Sequence, residues 1–512
     1  MHVTVVSRYV RCLMLASPAL CIFGTLSAGA AESSARCAPQ PRACLALALA
    51  AMGGPERLEA VKSLGIEGIQ HTLLVEQSYR QDPFITSYAR TQEQIDFAGQ
   101  RLVVKQHLTW PESDPGQSES DSTLIVGPEG GVYRSEQPDS PASRADLEQA
   151  RYELALGPMR VLLTALHASD LHYAAPESLR STMHSVLRFT WQGQPVRILI
   201  NPYNHLPDAV ETTAVLYDHW YQWGDVYRRI YFDNFQVFHG LVYPTNEVEE
   251  RNGILWQSRQ VLALSLNAPL EAADFKMDVQ VAQKTLQSKG WERPFSAKEG
   301  VQLASGITLF PGSWNATIVR QDDGVVLLEA PLSGSYMGGV SERAKQENPG
   351  VPIKAVLSTS DSWPHVGGVR QAVALGLPVY ILDLNKPFLE RLIASTRHQQ
   401  PDLLARSPRR PVWRVVSEKI QVGSGSNRMV LYPLRGASTE RQYMVYFPEH
   451  QLLYASDTLA LNADGSLYAP ELMREVIEAV KRENIPVTTV FAMHQGPVPW
   501  AQVTALVEKA TS

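Results

Sequence analysis

The sequence predicts an α+β chain in two folded units, an antiparallel β unit followed by an α/β unit. Three observations predict it. Strand-length runs rich in β-branched and aromatic residues, separated by polar Ser, Asp, Pro and Gly clusters, fill residues 53–275. From about residue 300, short apolar strands alternate with helical stretches, the rhythm of an α/β unit. Between them, residues 276–299 are more polar, helical in pattern, and read as a linker. With 512 residues, of which 44% are hydrophobic and 19% charged, the chain has material for two or three such units and is too apolar to stay disordered.

The first 30 residues read as an address. Arg8 and Arg11 precede a mostly apolar stretch over residues 12–26, and Ala28-Gly29-Ala30 offers small residues for cleavage. This is the layout of a secretory signal peptide, with an uncleaved N-terminal anchor as the alternative. It places the protein outside the cytoplasm, in a periplasm or cell envelope. Residues 31–52 are expected to be a leader segment. Cys12 and Cys21 would leave with the signal, and Cys37 and Cys44 would remain as a disulfide or as two free thiols. Net charge is -6 and the basic residues form no stripe, which argues against a nucleic-acid partner. After the signal, no apolar run approaches the roughly 20 residues that span a bilayer.

In the first unit, Pro55 after Gly53-Gly54 starts a short helix carrying Leu58, Val61 and Leu64. Strands are expected at residues 66–79, 85–95, 101–110 and 123–133, with exposed loops at 111–122 and 135–144. Residues 146–167 read as a helix broken at Gly157-Pro158, and further strands run from 182 to 266. The aromatic residues between Tyr217 and Tyr243, among them Trp220, Tyr221 and Trp223, fit either an ordinary β core or a concave sheet holding an apolar ligand. The Gly-Gly-helix start, the long strands and the stretch from Phe232-Asp233-Asn234-Phe235 to Gly240-Leu241-Val242-Tyr243-Pro244 resemble periplasmic lipoprotein carriers. That resemblance implies an antiparallel β half-barrel with covering helices that binds acyl chains.

In the second unit, strands are expected at 307–312, 315–320, 325–329, 353–358 and 379–382, and helices at 340–347, 366–375 and 387–395. The run Thr359-Ser360-Asp361-Ser362-Trp363-Pro364-His365-Val366-Gly367-Gly368, followed by Ser456-Asp457 and Met493-His494 after later apolar strands, resembles the motifs of the metallo-β-lactamase fold. The strand ending in Glu329-Ala330-Pro331 stands where that family usually ends in Asp. The family has T-H-x-H-x-D-H-x-G-G where the run from Thr359 to Gly368 stands. Ala455-Ser456-Asp457 and Ala492-Met493-His494 match the strands that present the bridging Asp and the last His. The resemblance implies an αββα sandwich over residues 300–512.

It also implies how the metal site has changed. The three histidines of the family's first metal site are replaced by Ser360, Ser362 and Ser438, and a hydroxyl is a poor substitute for imidazole on zinc. Of the second site, the loop Asp is Pro364, while His365, Asp457 and His494 remain. Pro364 is also expected to hold Trp363 extended. Two histidines and one carboxylate suffice for a single divalent ion, zinc ahead of iron or manganese. Each residue alone also has a structural reading: a capping or packing histidine, a turn aspartate, a strand histidine bonded to a carbonyl.

Two functions follow as expectations. One is an exported hydrolase with a reduced, single-metal site, in which Asp457 is ligand and proton acceptor, Asp361 the general base, and Ser360, Ser362 and Ser438 hold a small-molecule substrate. The other is a non-catalytic envelope protein binding a lipid or other apolar ligand. Neither substrate nor oligomeric state is legible. No phosphate-cradling Gly-rich loop and no G-x-S-x-G elbow is present.

Overall fold

The structure is a computed structural model, and it describes residues 36–75, 84–112, 118–135, 138–296 and 299–511. The signal sequence read in residues 1–30 lies outside the described residues, as do 76–79 of the first expected strand and residues 113–117 and 136–137 of the two expected loops.

The chain enters the core earlier than the sequence suggests. Residues expected as leader contain a helix, Pro41–Ala51, whose Cys44, Leu45, Ala48 and Leu49 are fully or almost fully buried. Cys37 and Cys44 form a disulfide, so the free-thiol alternative falls. A period of three to four between small and apolar residues marks this helix, but it resembles the signal in composition and merges with it by eye.

A fourteen-stranded sheet follows, with every pairing antiparallel. Its centre joins the first long strand to the last: Ser63–Leu74 pairs with Ile254–Leu266, in a register that sets Leu64 opposite Leu266. From that seam two meanders run outward, so that apart from the closing contact and the pairing of His172–Tyr173 with Thr182–Trp191 the strands pair with sequence neighbours. The helices Arg144–Leu156 and Val161–His167 cover one face, burying Leu147, Leu154 and Leu162 against Leu187, Phe189 and Ile198. A Ser143/Asp146 capping box starts the first helix, and Gly157 ends it at the break the sequence predicts.

One expectation needs correction. The single strand over 123–133 is a hairpin, Ser118–Gly127 and Gly130–Arg134, so part of the expected loop is strand. Gly130 makes the reversal at φ +122°, where a Cβ would lie 2.1 Å from the Ala282 carbonyl oxygen. The segment read as a linker is helical as expected: its helix Val279–Gln287 packs Ala282 and Thr285 on that hairpin, and Thr285 donates to the Gly131 carbonyl at 2.8 Å.

Beside the apolar core, the sheet carries buried charge. Glu249 accepts from Arg228 at 2.8 and 3.0 Å and from Arg251 at 2.6 Å, and Arg259 pairs with Glu93 at 2.7 Å. These groups and Glu153 line a cavity of about 420 Å³ between sheet and helix. The same cavity is lined by Ile95, Leu102, Val104, Leu124 and Trp191, so its walls are part charged and part apolar.

The C-terminal residues form two facing sheets with helices outside. The first has seven strands and the second six. Gly324–Leu328, Ile353–Ser358, Val379–Leu382 and Trp413–Val416 run parallel, joined by helices, and the inner three are largely apolar on both sides. Val326, Leu328 and Leu357 meet Leu431, Val445, Phe447 and Phe491 of the second sheet. Val325 and Leu327 point the other way, onto Met337, Val340, Val373 and Leu389 of the covering helices. On the far side, Met473, Val476 and Val503 of the helices Pro470–Arg482 and Trp500–Thr511 cover Met444, Leu453 and Val490. The helix expected at 340–347 begins at Gly334, capped by Ser333. The one expected at 366–375 is two pieces, Trp363–Val366 and Val369–Ala374. Trp363 is therefore helical rather than extended, because Pro364 sits in the first turn, where its missing N–H has no partner to lose. Among the described residues, no helix is long and apolar enough to cross a membrane.

Candidate metal centre

Strand ends converge at one edge of the sandwich. Glu329 follows Gly324–Leu328, the loop to His365 follows Ile353–Ser358, Asp457 follows Leu452–Tyr454 and His494 follows Thr489–Phe491. Leu452–Tyr454 and Thr489–Phe491 are parallel neighbours, which puts Asp457 and His494 side by side. Carboxyl ends of parallel strands are where α/β sheets usually gather functional groups.

The structure brings His365, Asp457 and His494 together. His365 Nε2 lies 3.2 Å and His494 Nε2 3.1 Å from the same oxygen, Asp457 Oδ1. Their ligand atoms all fall within 4.8 Å of one another, and among the described residues this is the one group of three His, Cys, Asp or Glu side chains so arranged. His365 is fully buried, while Asp457 and His494 keep some exposure, so the group opens to solvent on one side.

The surroundings fix each member. His494 Nδ1 bonds to the Ser313 carbonyl at 2.9 Å. A carbonyl only accepts, so Nδ1 carries the proton and Nε2 of the neutral ring turns a lone pair toward Asp457. The Asp457 backbone N–H donates to Gln442 Oε1 at 3.0 Å. Behind His365 stands Glu329, fully buried, with Oε2 4.0 Å from Nδ1. Glu329 accepts from the Thr359 N–H at 3.2 Å, from the Thr359 hydroxyl and from the Tyr454 hydroxyl at 3.1 Å. Thr359 also meets Ser456 Oγ at 2.7 Å, so the loop and the Asp457 turn are tied together.

The electrostatics follow from this crowding. Burial alone would raise the Asp457 carboxyl, but His365 and His494 override it and hold it well below the usual carboxylate range. Burial pulls the His494 imidazole down, yet Asp457 and the Ser313 carbonyl raise it overall. Burial raises the Glu329 carboxyl against the pull of His365, Thr359 and Tyr454.

The donor set fits a divalent cation. Both ring nitrogens of the buried His365 lack a hydrogen-bond partner, despite the 3.2 Å approach to Asp457. A neutral imidazole and a carboxylate facing each other at 3.1 Å set lone pair against lone pair unless a proton or a cation stands between them. Ligand atoms about 2 Å from a tetrahedral ion sit about 3.3 Å apart, close to the spacing found.

The other expected site residues lie differently. Asp361 is fully buried and pairs with Arg441 at 3.3 Å, outside the cation group. Ser360 Oγ accepts from the Ser362 N–H at 3.1 Å. The Ser438 N–H and the Thr439 hydroxyl both donate to Glu475. Sequence reasoning missed the supports, Gln442, the Ser313 carbonyl and the Glu329–Thr359–Ser456 network. Their one trace is that Glu329 and Gln442 are polar residues at the edges of apolar strands.

No protein-family profile matches this chain, and no curated protein matches it. Solved structures match part of it. A metallo-β-lactamase from Hirschia baltica is 17% identical over 42% of this chain and 97% of its own, with TM-score 0.33. A metallo-β-lactamase from Pontibacter korlensis is 16% identical over 41% and 98%, with TM-score 0.31. The inverting sec-alkylsulfatase Pisa1 from Pseudomonas sp. is 14% identical over 41% and 40%, with TM-score 0.30. At these identities and scores the likeness assigns neither family nor activity.

Proposed function

We infer that this protein is a metal-dependent hydrolase of the metallo-β-lactamase type, with one divalent cation held by His365, Asp457 and His494, working outside the cytoplasm. The observation that carries it is the convergence of two imidazole nitrogens on one carboxylate oxygen at 3.1 and 3.2 Å. Two nitrogens and one carboxylate suit zinc and leave a position open for water or substrate. When bound, such an ion polarises an ester, thioester or phosphoester group and brings the pKa of its water toward about 7. Asp457 stays anionic across the physiological range and is the nearest proton acceptor, with Asp361, paired with Arg441, as the other candidate base. Glu329 stands behind the His365 ring, 4.0 Å from Nδ1, and its charge acts on that imidazole. Ser362 and Ser438 keep some exposure and offer hydroxyls for substrate, while Ser360 is buried in the loop. Export is supported by the N-terminal signal pattern and by the Cys37–Cys44 disulfide.

Elemental analysis of never-chelated protein tests the reading. About one equivalent of zinc, iron or manganese per chain is expected, with ester or phosphoester hydrolysis lost on chelation and restored by the metal. Protein that stays metal-free after reconstitution rules the reading out. Glu329→Gln is expected to fold and to weaken zinc about 10- to 100-fold, as partners that orient a ligand do. A competition titration against a chromophoric chelator measures it, and an unchanged constant removes Glu329 from the site.

A further inference from the structure

The turn His219–Trp223 projects from the N-terminal sheet onto the sandwich, and its rings close on the segment that carries His365. This turn corrects the sequence reading of its aromatic residues as a pleated surface. Trp220 and Trp363 are fully buried and meet edge to face, with ring centroids 4.7 Å apart. Trp223 meets Trp363 at 5.5 Å and His219 lies against it at 5.5 Å. Trp363 stands two residues before His365 in a four-residue helix, Trp363–Val366. A helix that short has little stability of its own and takes its geometry from what packs on it.

The packing continues back into the N-terminal sheet. Trp256 meets Trp220 at 5.8 Å, Arg251 lies over Trp256 at 4.5 Å, and Asp218 pairs with Arg251 at 2.7 Å while accepting from the Trp220 N–H at 2.8 Å. On the sandwich side, Gly367 sits where a Cβ would lie 2.2 Å from the Leu332 carbonyl oxygen, so the helix is held close from both sides.

We propose that Trp220 and Trp363 are positioning residues through which the N-terminal sheet sets the placement of His365. The metal arm of the test rests on His365 being a cation ligand. The placement arm does not. The experiment uses the full chain with Trp220→Ala, Trp220→Phe and, as a control in the N-terminal core away from the turn, Leu162→Ala. Two quantities are read: the His365 imidazole ¹⁵N resonances in zinc-free protein, and the zinc dissociation constant by chelator competition.

Trp220→Ala is expected to move or broaden the His365 resonances and to weaken zinc about tenfold or more, because ligand placement must hold to about 0.5 Å. Trp220→Phe keeps an aromatic edge and restores most of both. Leu162→Ala lowers the melting temperature and changes neither. If Trp220→Ala does not fold, Trp223→Ala carries the test, with a smaller change in the same direction. Unchanged His365 resonances in the folded variant overturn the proposal, as does an equal change in Leu162→Ala. Wild-type protein that binds no zinc defeats the cation reading instead, and leaves the resonances to decide the placement.

Discussion

Asp457→Asn is expected to abolish metal binding and hydrolysis while leaving the fold intact. The carboxylate is the sole anion among the three convergent side chains, and Asn has its shape without its charge. Losing a direct ligand should weaken zinc by more than about 100-fold, beyond the upper end for residues that only orient one. The same substitution has a signature in metal-free protein. His494 is raised from its ordinary value with Asp457 as the main favourable partner. A raised histidine adds stability that is fully present below its unfolded pKa near 6.5 and is lost as pH rises through the folded value. Wild-type metal-free protein should therefore lose stability as pH climbs above about 6.5, and Asp457→Asn should be flatter there. Thermal melts across that range in a chelator read the difference. Parallel curves, together with retained zinc, would show that Asp457 is an ordinary turn residue.

How much of this was legible depended on whether local pattern decided the outcome. The strands of the sandwich were legible because they are short apolar runs between turn signals, and His365, Asp457 and His494 lie just past such runs. The supports were not legible, because the burial of Glu329 and Gln442 is a property of two sheets meeting, not of either strand alone. Trp220 and Trp223 read as sheet residues because aromatic composition favours strands, whereas Asp218 caps a tight turn and packing across the interface keeps it. The strand Leu241–Arg251 inverts the usual expectation outright. Its Glu247, Glu249 and Arg251 alternate as a solvated face would, yet all three are buried. Charge on alternate positions marks which residues share a face, and it does not say that the face is wet.

That inverted face carries the second large effect. Glu249→Gln is expected to destabilise the protein by about 3–5 kcal/mol, the usual result of removing one partner from a buried ion pair. Glu249 accepts from both Arg228 and Arg251, which are themselves buried, so its loss leaves two guanidiniums facing a neutral amide. The pH dependence has a definite sign. Burial would raise the Glu249 carboxyl, but Arg228 and Arg251 hold it down at about 2. A depressed acid contributes stability above its unfolded pKa near 4.3, and that contribution is lost as pH falls toward 2. Wild type should lose stability steeply across that window and Glu249→Gln should lose less. Two residues along the same strand the sign reverses. Burial pushes Glu247 up to about 7 although Arg259 opposes it. A raised acid loses stability as pH climbs from about 4.3 to 7, and Gln mimics the protonated form. Glu247→Gln should therefore cost little at pH 5 and stabilise at pH 8. Urea unfolding at three pH values compares the pair, and equal effects of the two substitutions at every pH would contradict this account. Because Arg251 also lies over Trp256 and pairs with Asp218 at the tryptophan turn, Glu249→Gln removes a partner of the residue that braces that turn. Zinc affinity in Glu249→Gln should then fall as well, though less than in Trp220→Ala.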